Sequence, residues 1–355
     1  MQYQQLGNTG VFVSRLCLGT MTFGQVPGTL WSLIGGLGQT EADALVGQSL
    51  DAGVNFFDTA DAYSAGESEV LLGKALGARR SDVVVATKVF GRMGPGANQV
   101  GLSRLHIFQA VEASLKRLNT DYIDLYQIHG LDPFTPFEEI LGALTDLVRQ
   151  GKIRYAGCSN LAAWHIMKAL GVSALGHLEK FITVQSYYSL VGRELEREII
   201  PALLDQKMGL LVWSPLAGGF LSGKFTRQGT SEGDSRRSKF TFPPVEVEKG
   251  YRIVEVLQDV AARRGATVAQ VALAWLLHQP VVTSVIIGAK TATQLQDNLG
   301  SVDVKLAVED LQQLDEASSL APEYPGWMHS SQGSGRLPGE VRDWSKLIKT
   351  PVKSS

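Results

Sequence analysis

Two hydrophobic rhythms alternate along this chain. Short runs rich in Val, Ile, Leu and aromatic residues recur at 15–18, 54–57, 83–88, 123–129, 153–159, 182–185, 210–214 and 284–287. Bounded by turn residues, such runs predict buried strands. Between them, apolar residues return every three or four positions, the mark of amphipathic helices. Ile107, Phe108, Val111, Leu115 and Leu118 share one face of a helix over 103–118. Ile140, Leu141, Leu144, Leu147 and Val148 do the same in the next helix. There Thr135 reads as the cap, Pro136 as the first position, Glu138 as completing a capping box and Gly151 as the stop. Further helices are expected near 40–52, 161–170, 193–206, 250–264, 268–278, 293–299 and 308–318.

Eight strands alternating with helices, without a clear linker, predict an α/β fold of the closed (β/α)8 TIM-barrel type. One domain over 1–355 is expected, with its core at about 11–318 and a C-terminal tail at 319–355. Two short runs around Gly7-Asn8-Thr9-Gly10 predict an N-terminal hairpin closing one end. The competing architecture, an open doubly wound sheet, would need Gly-x-Gly-x-x-Gly after a strand, and no strand is followed by it. Long segments at 22–39 and 215–249 interrupt the rhythm, and loops of that length are commonly functional.

Composition narrows the classes. With 355 residues, 44% hydrophobic, 19% charged and a net charge of −2, the chain is an ordinary globular one. It lacks the basic footprint of a nucleic-acid or anionic-membrane binder. No apolar run approaches the roughly 18 residues of a membrane span, and the N-terminus lacks the features of a signal peptide. Cys17 and Cys158 lie in strand-like runs and read as free thiols of a cytoplasmic protein, and no metal site is expected.

In such a barrel the strand C-termini share the rim where barrel enzymes keep their chemistry. Here the strand ends offer Asp58, Lys88, His129, Ser159-Asn160, Gln185, Ser214 and Gly288, with Tyr63 in the loop beyond Asp58. Individually, each has a structural explanation; together they would converge on one mouth. A phenol has an ordinary pKa of about 10, and an adjacent ammonium lowers it. Lys88 would supply that ammonium, Asp58 its counter-charge, and His129 a hydrogen bond to a substrate oxygen. The result would be a proton donor facing a carbonyl oxygen. His106, His165, His177 and His278 read as structural.

The motifs Phe-Phe-Asp-Thr-Ala-Asp-Ala-Tyr, Val-Ala-Thr-Lys and Tyr-Gln-Ile-His, with Gly157-Cys158-Ser159-Asn160, Trp213-Ser214-Pro215-Leu216 and Gly288-Ala289-Lys290, resemble those of the aldo-keto reductase family in the same order. The resemblance runs from the hairpin to about residue 318. It implies catalytic roles for Asp58, Tyr63, Lys88 and His129, and NADPH bound in extended form without a Rossmann domain. Ser159, Asn160 and Gln185 would hold the nicotinamide carboxamide, and Trp213 would stack on its ring. Ser214, Leu216 and Gly218 would follow the pyrophosphate, and Lys290, Gln294 and Asn298 the adenosine, with Gly288 beside them. Gly19, Thr20, Met21, Lys224 and Arg237 complete the expected cofactor contacts, and Phe23, Trp31 and Trp327 the substrate contacts. Gly218 to Lys224 also fits the start of a phosphate-binding loop, but Phe225 stands where that motif needs Ser or Thr.

The implied activity is NADPH-dependent reduction of aldehydes or ketones, reversible as alcohol oxidation, on a small-molecule substrate whose identity, like the oligomeric state, is left open. Two other readings remain: an NADPH-binding regulatory subunit of the potassium-channel β type, and a lyase using Lys88 as a Schiff-base nucleophile.

Overall fold

In the computed structural model, residues 1–26, 34–227, 229–230, 237 and 240–332 are described. The expected alternation is present. A hairpin, β1 (Tyr3–Gln5) and β2 (Phe12–Ser14), precedes β3 (Leu16–Gly19), α1 (Gln39–Asp51), β4 (Phe56–Asp58), α2 (Glu67–Leu76) and β5 (Val84–Val89). Then come α3 (Arg104–Leu118), β6 (Ile123–Ile128), α4 (Phe137–Arg149), β7 (Ile153–Ser159), α5 (Ala163–Gly176) and β8 (Phe181–Tyr187). After α6 (Ile199–Gln206) and β9 (Gly209–Trp213), a two-stranded ribbon of β10 (Phe225–Thr226) and β11 (Gly229–Thr230) lies in the long excursion. α7 (Val247–Arg264), α8 (Val268–Leu277), β12 (Val282–Ile287), α9 (Ala292–Leu299), α10 (Val308–Ser318) and α11 (Gly326–Gln332) complete the chain.

β3 to β9 form a continuous parallel sheet, and β12 closes it by pairing with both β9 and β3. This is a (β/α)8 barrel preceded by an antiparallel hairpin. No helix among the described residues is long and apolar enough to cross a membrane.

The period of two along each strand decides what the barrel contains. Cys17, Phe56, Ala86, Leu125, Leu211 and Ile286 point inward and form one apolar layer, covered from below by Leu6 and Val13 of the hairpin. The hairpin thus plugs the N-terminal end. It passes so close that a side chain at Gly7 would collide with the carbonyl of Ile182, and Gly7 has φ +58. The intervening residues Phe57, Val85, Tyr126 and Ile128 point outward into the helical layer. Two residues further along β4, β5 and β6, the interior changes from apolar to polar. Phe56 is followed by Asp58, Ala86 by Lys88, and Leu125 by Gln127; each of these polar residues is buried.

Two helix starts differ from the expectation: the helix expected over 193–206 begins only at Ile199, after a short 3-10 turn at Glu194–Glu196, and the start of α4 is shifted as well. Pro136, not Thr135, is the cap of α4, and it makes no side-chain capping bond. The Thr135 hydroxyl instead donates to Asp132 Oδ2 at 2.8 Å. That carboxylate also accepts the amides of Leu102 (2.7 Å) and Phe134 (2.9 Å), tying the loops after β5 and β6 together. The nearer carboxylate therefore takes the hydroxyl that a capping box requires.

Candidate active site

The tetrad assembles where β4, β5 and β6 reach the rim. The Lys88 ammonium is fully buried and uses all its donors: Asp58 Oδ1 at 2.5 Å, the Thr59 carbonyl at 2.7 Å and Tyr63 Oη at 3.3 Å. The other Asp58 oxygen accepts from Gln185 Nε2 at 2.8 Å and Gln127 Nε2 at 3.2 Å. A buried ion pair is tolerable only when its remaining hydrogen-bonding positions are filled, and here they are. The His129 ring meets the Tyr63 ring edge-on, with centroids 5.8 Å apart.

Electrostatics assigns the protonation states. Burial alone would lower the Lys88 amine, but Asp58 and Tyr63 more than offset it, so the amine is held above its ordinary value as an ammonium. Burial raises the Tyr63 phenol, and the opposing pull of Lys88 does not overcome it. This corrects the expectation of a lowered phenol: the ammonium acts in the expected direction, but desolvation is the larger effect. Tyr63 is therefore a neutral phenol at ordinary pH, the form that can give a proton. Burial, reinforced by Lys88, pushes His129 down to about 3. Its imidazole is neutral and offers a hydrogen bond without charge.

His129 yields a pH prediction. Its folded value lies below the ordinary 6.5 or so, so its contribution to stability is present above that pH and lost as pH falls toward 3. Thermal melts from pH 7 to 4 should show less acid destabilisation in His129→Gln than in the wild type.

A cavity of about 720 Å³ opens over the tetrad, with Asp58, Tyr63 and His129 in its wall. Gly19, Met21, Ser159, Asn160, Gln185 and Trp213 also line it. The wall continues through Ser214, Leu216, Gly218 and Lys224 to Gly288, Lys290, Gln294 and Asn298. Its amide, hydroxyl and ammonium donors are of the kinds that would hold a phosphate-bearing nicotinamide cofactor. Gly218 and Gly219 have φ of +66 and +95 and give a side-chain-free floor, and a Cβ on Gly218 would stand 2.6 Å from the Phe242 carbonyl. Lys224 and Lys290 are exposed cations in the same wall. Lys290 precedes α9, whose N-terminus Thr291 caps by accepting the Gln294 amide.

Other assignments are modified by the contacts. Both ends of the Asn160 amide are used: Nδ2 donates to the His129 carbonyl and Oδ1 accepts from Trp213 Nε1, each at 3.0 Å. Asn160 thus fixes the Trp213 ring to the His129 backbone. Thr20 does not face the cavity; its hydroxyl lies 2.8 Å from that of Ser68 and within reach of the Asp58 carbonyl. Arg237 also stays out of the wall. Its guanidinium donates to the carbonyls of Ala217 (3.0 Å) and Pro243 (2.9 Å), bracing the excursion from behind. Phe23 is fully buried in the core, and Trp327 is half-exposed on α11 against Tyr324. Neither lines the cavity. Trp31 lies outside the described residues.

Two contributions escaped the sequence reading. Gln127 bonds the Asp58 carboxylate, and its position two residues before His129, on the inward parity of β6, was the available signal. Phe240 and Phe242 line the cavity, the latter stacked on Trp213 with centroids 5.7 Å apart and planes within 9°. Nothing in the aperiodic excursion singled them out.

A parallel barrel whose C-terminal rim carries a phenol, a buried ammonium–carboxylate pair and a neutral imidazole defines a barrel oxidoreductase site. The chain belongs to the aldo/keto reductase family, whose model matches residues 15–319. It is 39% identical over 327 residues to the uncharacterized oxidoreductase YrpG of Bacillus subtilis, covering 89% of this chain and 95% of that one. Versiconal hemiacetal acetate reductase of Aspergillus parasiticus is 38% identical, covering 92% of this chain and 99% of its own. A probable voltage-gated potassium channel subunit beta of Arabidopsis thaliana is 37% identical, with 91% and 99% covered.

Proposed function

We propose that this protein is an NADPH-dependent reductase of aldehydes and ketones, reversible as an alcohol dehydrogenase, in which Tyr63 is the proton donor. The observation that carries the reading is the chain of contacts from Asp58 through Lys88 to the Tyr63 hydroxyl, ending in the cavity wall. The nicotinamide, when bound, supplies the hydride. Ser159 and Gln185 would hold its carboxamide, Trp213, fixed by Asn160, its ring, and Lys290, Gln294 and Asn298 the adenosine end.

The chain's own groups divide the remaining work. His129, uncharged, orients a carbonyl oxygen beside Tyr63. The Tyr63 phenol gives that oxygen its proton as negative charge develops there. Lys88 stabilises the phenolate left behind, and Asp58 keeps Lys88 charged. In the oxidative direction the phenolate takes the proton back. Buried thiols at Cys17 and Cys158 suit a reducing cytoplasm.

Steady oxidation of NADPH in the presence of an aldehyde tests the reading, and its absence across a broad carbonyl panel would sink it. The preference for NADPH rests on Lys290, a cation at a helix start where a 2′-phosphate is attracted. Lys290→Ala is expected to weaken NADPH by about tenfold, or about 1.4 kcal/mol, and NADH much less. Equal losses in a fluorescence titration would remove the phosphate assignment.

The similarity to a channel β subunit favours one second reading, a cofactor-bound regulatory partner. Cofactor binding without turnover would support it. A Schiff-base role for Lys88 is disfavoured by its ammonium state and its three occupied donors.

A further inference from the structure

A buried acid that the proposed chemistry leaves unused stands behind the tetrad. Asp61 lies between Asp58 and Tyr63 in the turn after β4 and is fully buried. Its amide donates to the Lys88 carbonyl at 3.1 Å, so its backbone is fixed to the strand that carries the amine. Its carboxyl oxygens have no side-chain hydrogen-bond partner among the described residues and are faced only by the backbone amides of Ala62 and Phe90. A buried carboxyl served by backbone amides alone, with no cation or hydroxyl bonded to it, is costly, and an apolar side chain would fill the same space more cheaply.

Its surroundings are ionisable on every side. From α2 comes Glu69, buried and held by Arg117 Nε at 2.6 Å and Thr87 Oγ1 at 2.6 Å. From α3 come Arg117 and also His106, which approaches Gly91 of the loop beside Asp61. From β6 comes Tyr126, whose buried hydroxyl lacks a partner among the described residues. On the cavity side stand Tyr63, Lys88 and Asp58.

We propose that Asp61 is a positioning residue of the site: held behind the turn that carries Tyr63, its carboxyl sets by its charge how readily the phenol parts with its proton. Burial, with Glu69 adding to it, raises Asp61 to about 7, so its charge changes near neutrality. Once ionised, Asp61 opposes the pull of Lys88 on Tyr63 and favours the neutral phenol. Above neutral pH, therefore, Asp61 preserves the proton needed for carbonyl reduction and restrains the phenolate needed for alcohol oxidation. The consequence for turnover rests on the reductase reading; the charge coupling does not.

The test places a fluorotyrosine at position 63, whose fluorine resonance reports phenol ionisation, in wild-type and Asp61→Asn proteins. The variant is expected to show on the order of tenfold more phenolate at a given alkaline pH, with alcohol oxidation above pH 8 faster by a similar factor. A purely structural Asp61 would lower stability and leave the fluorine titration in place, which would overturn the proposal. Should wild-type protein oxidise no NADPH, the reductase reading falls while the fluorine titration still decides Asp61. Carboxyl-carbon spectra of aspartate-labelled wild type give a second arm that needs no variant. One aspartate titrating near pH 7 is expected; every aspartate titrating below about pH 5 contradicts the proposal.

Discussion

Replacing Tyr63 by phenylalanine is expected to reduce carbonyl turnover by about 10²–10⁴, the range a positioned general acid supplies, while leaving NADPH affinity nearly unchanged. The substitution removes one oxygen atom. The ring remains, and with it the edge-on contact to His129. Lys88 loses its 3.3 Å contact to the hydroxyl but keeps Asp58 and the Thr59 carbonyl, so the ion pair stays satisfied. The expected signature is a fall in kcat with little change in the cofactor dissociation constant or the melting temperature. Retained turnover would remove Tyr63 as the acid and pass that role to His129 or a water.

Lys88→Met is expected to act on both stability and catalysis. Methionine matches the length of the lysine stem but leaves Asp58, which is nearly fully buried, without a counter-ion. Breaking one side of a buried pair costs about 3–5 kcal/mol, because the remaining charge is stranded. The amides of Gln127 and Gln185 soften this loss without supplying charge. Adding Asp58→Asn to the same protein should recover much of the stability and none of the turnover. Denaturant unfolding of both single variants and the double variant measures the coupling. If Lys88→Met unfolds like the wild type, the pair carries no net electrostatic stabilisation.

The barrel was legible because its strands are buried runs of the right length separated by helical periodicity, and because their ends are polar where their middles are not. Asp58, Lys88 and His129 stand out for that reason. Gln127 does not, because the 123–129 run is apolar enough to read as uniformly buried unless its parity is followed. Its inward partner Leu125 belongs to the apolar plug, and the next inward position is already the polar layer. Thr20, Phe23 and Arg237 were placed at the site by nearness along the chain or by resemblance. Which way a side chain turns at a strand end depends on neighbours such as Ser68 and Ala217, contributed by distant segments. The state of the Tyr63 phenol likewise depends on two opposed effects, burial and the ammonium, and only the three-dimensional structure gives their balance.

Hydride transfer from a reduced nicotinamide to a carbonyl, with Tyr63 supplying the proton, is the proposed step that all these residue roles serve. Single-turnover absorbance of the NADPH-loaded enzyme mixed with an aromatic aldehyde measures this, using cofactor deuterated at the transferred position. Rapid loss of NADPH absorbance in the wild type, slowed by deuterium and nearly abolished in Tyr63→Phe, is the predicted result. Stable NADPH together with a borohydride-trapped aldehyde adduct on Lys88 would contradict it.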